Sequence, residues 1–142
     1  MKYIGPDFCN ITTLLSDEEL LIQKTANEFV DKEFMPIVND YYERGSFPTE
    51  LIPKMGELGF FGATLPKKYG GSEISSTAYG LIMQELEKGD SGLRSVCSVQ
   101  GGLVMYPIFE YGSEEQKEKW LPQLAQGSAV GCFGLTESNH GS

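Results

Sequence analysis

Two copies of one local signal fence this sequence into short helices. Ser16 stands three residues before Glu19, and Ser113 three residues before Gln116. At that spacing the hydroxyl accepts the N3 backbone N–H. The longer side chain returns to the N-cap N–H, so two orphan donors of a helix start are satisfied. After Ser16, the residues Ile22, Ala26, Phe29 and Val30 recur at i, i+4, i+7 and i+8, an amphipathic helical stripe. Leu15 and Leu20 occupy hydrophobic-staple positions around the same cap. Pro36 interrupts or kinks this run because it lacks a backbone donor; Ile37 to Tyr42 continue it until Gly45 stops it.

The same punctuation predicts the rest. Leu51, Ile52, Met55 and Leu58 mark a helix within 48–58, with Pro53 in its first turn and Gly59 as its stop. The stretch 62–72 reads as a loop, with Lys67, Lys68 and a Gly70-Gly71 turn. Ser75 or Ser76 caps a helix to Lys88, with Tyr79, Ile82, Met83 and Leu86 on its apolar side; Gly89 ends it. Asp90 or Ser91 caps the next, which carries Leu93, Val96, Cys97, Gln100, Leu103, Val104 and Ile108 to Gly112. The helix after Ser113 carries Trp120, Leu121 and Leu124 to Gly127. Ala129 to Thr136, short and apolar with two glycines, reads as a strand. The chain is therefore mostly α: an arm over 1–15, a helical body over 16–127, and the start of a β region over 128–142.

Charge and composition narrow the partners. A net charge of −9 disfavours nucleic acid or an anionic membrane as the main partner. The apolar stretch from Leu93 to Phe109 contains Arg94, Gln100 and Pro107, and falls short of a bilayer span. With no leader-like N-terminus, the expectation is a soluble intracellular protein. Cys9, Cys97 and Cys132 form no disulfide or metal-ligand spacing and read as small buried hydrophobes. The single His140 reads as a solvated loop residue, so no metal site and no Ser-His-Asp arrangement is expected. Neither a P-loop nor a G-x-G-x-x-G is present.

Two constellations remain. The turn from Thr136 to Ser142 offers hydroxyls, backbone N–H groups and little bulk, which suits a planar polar ligand, although composition alone favours a solvated loop. Around the junction at residue 90, Glu87, Arg94, Ser95 and Ser98 cluster, with Arg94 and Ser98 at i,i+4 on one helix face. A guanidinium fork at a helix start fits a carboxylate, but Asp90 four residues earlier offers an ordinary surface ion pair instead. Glu114, Glu115 and Glu118, interleaved with Lys117 and Lys119, read as a solvated helix face without a role.

From Ser16 onward the chain resembles the N-terminal part of an acyl-CoA dehydrogenase. The resemblance rests on Met55-Gly-Glu-Leu-Gly59, Leu65-Pro-Lys-Lys-Tyr-Gly-Gly71, Tyr111-Gly-Ser-Glu-Glu-Gln116, Lys119-Trp-Leu-Pro122 and Cys132-Phe-Gly-Leu-Thr-Glu137. Within the family, Glu85-Leu-Glu-Lys-Gly-Asp-Ser-Gly-Leu-Arg-Ser-Val-Cys-Ser-Val-Gln100 is most similar to the glutaryl-CoA type. The resemblance implies an N-terminal helical domain followed by the first strand of a middle β domain. It implies that Arg94, Ser95 and Ser98, with Glu87 in the polar network, hold the distal carboxylate of glutaryl-CoA. It implies FAD along Phe133, Gly134, Leu135, Thr136, Gly141 and Ser142, with Thr136 at the flavin's polar edge and Ser142 also near the acyl-CoA.

The same resemblance implies a homotetramer handing electrons to an electron-transfer flavoprotein, in the bacterial cytoplasm or the mitochondrial matrix. The reaction is α,β-dehydrogenation, with decarboxylation to crotonyl-CoA open. The chain departs from the family pattern at Ser138, where proline is usual. It contains no counterpart of the family's catalytic glutamate, so residues 1–142 are expected to be inactive alone and to expose a sticky apolar patch. A short-chain monocarboxylic acyl-CoA substrate, or a non-catalytic helical interaction module, stands as the alternative.

Overall fold

The computed structural model describes residues 8–140. Among them run α1 (Asp17–Phe29), α2 (Val38–Arg44), α3 (Leu51–Glu57), α4 (Ser76–Gly89), α5 (Ser91–Ser98), α6 (Tyr106–Tyr111) and α7 (Glu114–Ala125). Two π-helical segments join this set, Val30–Phe34 after α1 and Val99–Met105 between α5 and α6. The caps form as the sequence predicts. Ser16 and Glu19, and Ser113 and Gln116, make reciprocal capping boxes. Ser75 accepts the N–H of Ala78, and Asp90 accepts those of Gly92 and Leu93. Gly45 and Gly59 end α2 and α3 at φ of 60° and 74°, a backbone region glycine enters without a Cβ penalty.

Pro36 acts through the turn before it. Continued as an α-helix, the chain would need a donor from residue 36 to the carbonyl of Lys32, and the proline ring would press on that carbonyl. The backbone instead widens, with the Met35 N–H reaching the Val30 carbonyl at 2.9 Å, and α2 restarts at Val38.

α1 packs on α4, and α4 packs on α5, enclosing Phe29, Leu51, Met55, Phe60, Phe61, Ile82, Leu86, Leu93 and Cys97. Phe29 meets Phe60 edge to face with ring centres 5.7 Å apart. The α1–α4 contact also contains a polar tie. The buried Glu85 carboxylate accepts from Gln23 at 3.2 Å, Asn27 at 2.8 Å and Lys88 at 2.7 Å.

The C-terminal end of α7 crosses α3 closely. A Cβ on Gly56 would sit 2.2 Å from the carbonyl oxygen of Gln126. Gly127, at φ 70°, turns the chain there, and a Cβ on it would sit 2.7 Å from the Ile52 carbonyl oxygen.

The structure corrects five expectations. The stripe predicted on the fourth helix loses register. Leu103 is 47% exposed, whereas Met105 is fully buried, because the π segment puts successive inward residues, Gln100 and Met105, five apart. Trp120 is 42% exposed, so α7 presents Leu121, Leu124 and Ala125 to the core instead. Glu114 is not idle: it pairs with Lys68 and accepts the Tyr69 hydroxyl at 2.8 Å, tying α7 to the Lys67–Tyr69 turn. Of the cysteines only Cys97 is buried; Cys9 and Cys132 are exposed. Ala129 to Thr136 forms no strand, since a ladder needs a partner and none of the described residues supplies one; the only bridge described joins Glu137 and His140. The mostly helical architecture otherwise stands as expected.

Candidate functional site

Asp90 is the one residue between α4 and α5, and its extended backbone turns the chain sharply. The last turn of α4 therefore lies beside the first turn of α5. Glu87 uses both carboxylate oxygens there. One accepts the Arg94 Nε–H at 2.7 Å and the other the Ser91 hydroxyl at 2.7 Å. The Arg94 hydrogen bond first, and the Ser91 hydroxyl second, hold the Glu87 carboxyl below the ordinary glutamate value. Arg94 donates from a terminal nitrogen to the Ser98 hydroxyl at 3.1 Å, and that hydroxyl donates to the Ser95 carbonyl at 3.2 Å.

This geometry settles where the sequence-predicted residues lie. Glu87, Arg94 and Ser98 form one hydrogen-bonded chain, which Ser95 joins through its backbone carbonyl. Asp90, the expected ion-pair partner of Arg94, instead spends its carboxylate on the N–H groups of Gly92 and Leu93 as the α5 cap. The Arg94 side chain is 36% exposed, and among the described residues its remaining N–H groups have no partner. An oriented guanidinium with spare donors can receive an anion bidentately. Tyr79, assigned from sequence only to the apolar side of its helix, also faces this region. Its half-buried phenol is pushed up chiefly by desolvation, with Cys97 raising and Arg94 lowering it. Alternation of hydrophobicity gave no signal for that hydroxyl.

The second constellation lies on the segment after α7. Phe133 and Leu135 are 49% and 61% exposed, Thr136 is exposed, and a Cβ on Gly134 would meet nothing within 4 Å. Exposed apolar side chains flanking an open glycine fit the flat face of an aromatic ring, since the backbone itself can be approached. Glu137 and His140 close the following turn through paired backbone hydrogen bonds of 3.0 and 3.1 Å. Gly141 and Ser142 lie outside the described residues.

One residue expected only in an apolar stripe ties the helical run that carries the first constellation to the chain leading into the second. Gln100, 2% exposed, donates to the carbonyls of Leu124 at 2.9 Å and Ala129 at 2.8 Å, and accepts the Gly131 N–H at 2.9 Å. A polar amide at a helical core position, with its partners 24 to 31 residues away, was the available signal. An open groove of about 530 Å³ between α1 and α3, lined by Leu21, Phe29, Leu58, Lys24 and Lys54 among others, shares no residue with either constellation. No group of three or more possible metal ligands occurs among the described residues, and no helix among them is long and apolar enough to cross a membrane.

Residues 16–128 match the family model described as acyl-CoA dehydrogenase, N-terminal domain. A probable acyl-CoA dehydrogenase, YngJ, of Bacillus subtilis is 38% identical over 130 residues, covering 90% of this chain and 34% of that protein. The mitochondrial short-chain specific acyl-CoA dehydrogenase of Rattus norvegicus is 31% identical over 128 residues, covering 90% of this chain and 31% of its own length. The crystal structure of glutaryl-CoA dehydrogenase from Mycobacterium smegmatis superposes with a TM-score of 0.89 at 48% identity, covering 96% of this chain and 35% of that one. A second structure of a glutaryl-CoA dehydrogenase from that organism, in complex with FADH2, gives 0.87 at 47%, covering 92% and 33%. The chain thus spans about a third of the length of the relatives it matches.

Proposed function

The chain belongs to the acyl-CoA dehydrogenase family, and we propose that the whole protein oxidises glutaryl-CoA at its α,β carbons with FAD as cofactor. The observation that carries the substrate is the oriented guanidinium. Glu87 holds Arg94 at Nε and Ser98 holds one terminal nitrogen, at 2.7 and 3.1 Å. The rest of the fork is free to take the distal carboxylate of a dicarboxylic thioester. Ser95 adds a hydroxyl on the same turn, while Ser98, whose own proton goes to the Ser95 carbonyl, serves by steadying the guanidinium. A simple acyl chain leaves that fork unused.

For the cofactor, Phe133, Gly134, Leu135 and Thr136 are the described residues that would line the flavin, with Gly141 and Ser142 beyond them. FAD, when bound, supplies a hydride acceptor. The protein's part is to offer an apolar edge through Phe133 and Leu135 and a hydroxyl through Thr136. α-Proton removal needs a free carboxylate, and neither glutamate near the junction fits. Glu87 is committed to Arg94 and Ser91, and Glu85 to Gln23, Asn27 and Lys88. We therefore assign no base within residues 1–142 and expect this chain alone to be inactive. An electron-transfer flavoprotein as acceptor, a homotetrameric assembly, and a bacterial cytoplasmic or mitochondrial matrix location complete the proposal.

The decisive experiment is Arg94→Ala in the whole protein. Turnover of glutaryl-CoA should fall by the equivalent of about 2–5 kcal/mol relative to an uncharged acyl-CoA of similar length. Equal losses on both thioesters would instead favour a monocarboxylic substrate, the reading supported by the similarity to short-chain relatives. Wild-type protein without the visible absorbance of a flavin would remove the cofactor assignment.

A further inference from the structure

We propose that Gln100 is a positioning residue that holds the flavin-facing segment at a fixed place relative to Arg94. The inference rests on the reading of residues 133–136 as flavin-facing and goes beyond it. Arg94 and Gln100 ride on one continuous helical rod, α5 running into the π segment, about 9 Å apart along its axis at ordinary helical rise. From that rod the Gln100 amide grips the chain at both sides of its exit from α7. It donates to Leu124 within the helix and to Ala129 beyond it, and it accepts from Gly131. Cys132 and Phe133 carry this grip into Gly134.

The surroundings make the grip specific. Residues 129–136 have no ladder to order them; past the backbone bond from the Ala129 N–H to the Gln123 carbonyl at 3.2 Å, the hydrogen bonds described on residues 129–131 are those of the Gln100 amide. Gly131 lies directly on the rod: a Cβ there would fall 2.4 Å from a Val104 methyl. The π widening is what lets an amide at residue 100 face inward while Met105 fills the core behind it. Gly101 seats the same turn against the Phe61 carbonyl, where a Cβ would come within 2.8 Å of the oxygen. The rod thus sets one end of the substrate site through Arg94 and the approach of the flavin segment through Gln100.

Two substitutions test this from opposite directions. Gln100→Ala removes the donors and acceptor, and Gly131→Ala keeps the amide but pushes the segment off Val104 and so pulls the Gly131 N–H away from it. In the whole protein each should raise the FAD dissociation constant about ten- to a hundredfold, the worth of one or two buried hydrogen bonds, and should change the visible circular dichroism of the flavin. Leu93→Ala, a core cavity on the same rod without contact to the segment, serves as control. If it loosens FAD as much as Gln100→Ala at a matched loss of melting temperature, the role is merely structural and the proposal falls.

A second measurement needs no flavin. In the unsubstituted 142-residue chain, the Gly131 N–H should exchange with solvent far more slowly than that of Gly134. Equal exchange overturns the grip while leaving the flavin assignment standing. A whole protein that carries no flavin, with Gly131 still protected, overturns the assignment and the positioning role with it.

Discussion

α4 carries two glutamates two residues apart, and they have opposite fates. Glu85 and Glu87 point about 200° apart around the helix. Glu85 faces α1, is 8% exposed, and has its carboxylate saturated by Gln23, Asn27 and Lys88. Glu87 faces the α5 junction, keeps about half its side-chain surface in solvent, and holds an arginine whose own donors are not exhausted. Both are hydrogen-bonded, and both sit in the stretch that carries the family resemblance. The difference is where spare valence remains. Burial with every partner matched locks helices together and withdraws the group from chemistry. Partial exposure with unmatched donors leaves something for a ligand to complete.

The sharpest test of that distinction is a cysteine. Cys97 donates to the Phe60 carbonyl at 3.4 Å, and burial pushes its thiol up to about 12. Near pH 8 it should hold roughly a thousandfold less thiolate than an ordinary thiol, so alkylation should mark the exposed Cys9 and Cys132 and spare Cys97 until the chain unfolds. Mass spectrometry of the labelled protein reads this directly, and equal labelling of all three would show that burial does not silence groups here. Next in size is Glu85→Ala. It strands the donors of Gln23, Asn27 and Lys88 between α1 and α4, and chemical denaturation should show a loss of about 3 kcal/mol. Glu87→Ala should unfold at nearly the wild-type denaturant concentration. If the two variants lose equal stability, the division between a structural and a functional glutamate is wrong.

Glu87→Ala should act elsewhere. With its Nε unpaired, Arg94 keeps only the Ser98 contact to orient it, and preference for a dicarboxylic over a simple acyl-CoA should drop about tenfold in the whole protein, the worth of one charge-assisted hydrogen bond. Glu87→Gln keeps an acceptor for the Nε–H and should retain part of the preference.

How much of this could be read without coordinates follows the range of each interaction. Ser16 with Glu19, Ser113 with Gln116, and the stops at Gly45 and Gly59 are settled within four residues, so most helix starts and stops were legible, although the single helix expected up to Gly112 is α5, a π segment and α6. Arg94 and Ser98 were legible for the same reason, being one helical turn apart. Glu87 was grouped with Arg94 from the start, but spacing alone left Asp90 open as its partner. Only the tight reversal at that residue brings Glu87, seven positions back, into bonding distance. The π segment over Val99–Met105 was invisible for a deeper reason. Pro107 follows this segment as Pro36 follows the first, but a proline marks a break without fixing its form; the close seat of Gly101 against Phe61, 40 residues away, accompanies the shift that exposes Leu103 and buries Met105. Gln100 was hidden likewise, since its partners lie on α7 and on the segment that follows it.

The smallest effect expected is also the most local. Glu87 is held below its ordinary value of 4.5 first by Arg94 and then by Ser91. A depressed carboxyl pKa means the folded state binds its proton less readily than the unfolded chain. The pair's contribution to stability is therefore complete above the unfolded value and lost as pH falls through the folded one. Because Glu87 is open to solvent, the change in unfolding free energy over that window should be slight, and the informative readout is the titration itself. Carboxyl carbon chemical shifts of Glu87 should show an inflection below that of a free glutamate. In Arg94→Ala the inflection should climb most of the way back, with the residue of the depression owed to the Ser91 hydroxyl. An unchanged inflection in that variant would mean that Glu87 does not hold the arginine in solution, and the contrast with Glu85 would lose its functional half.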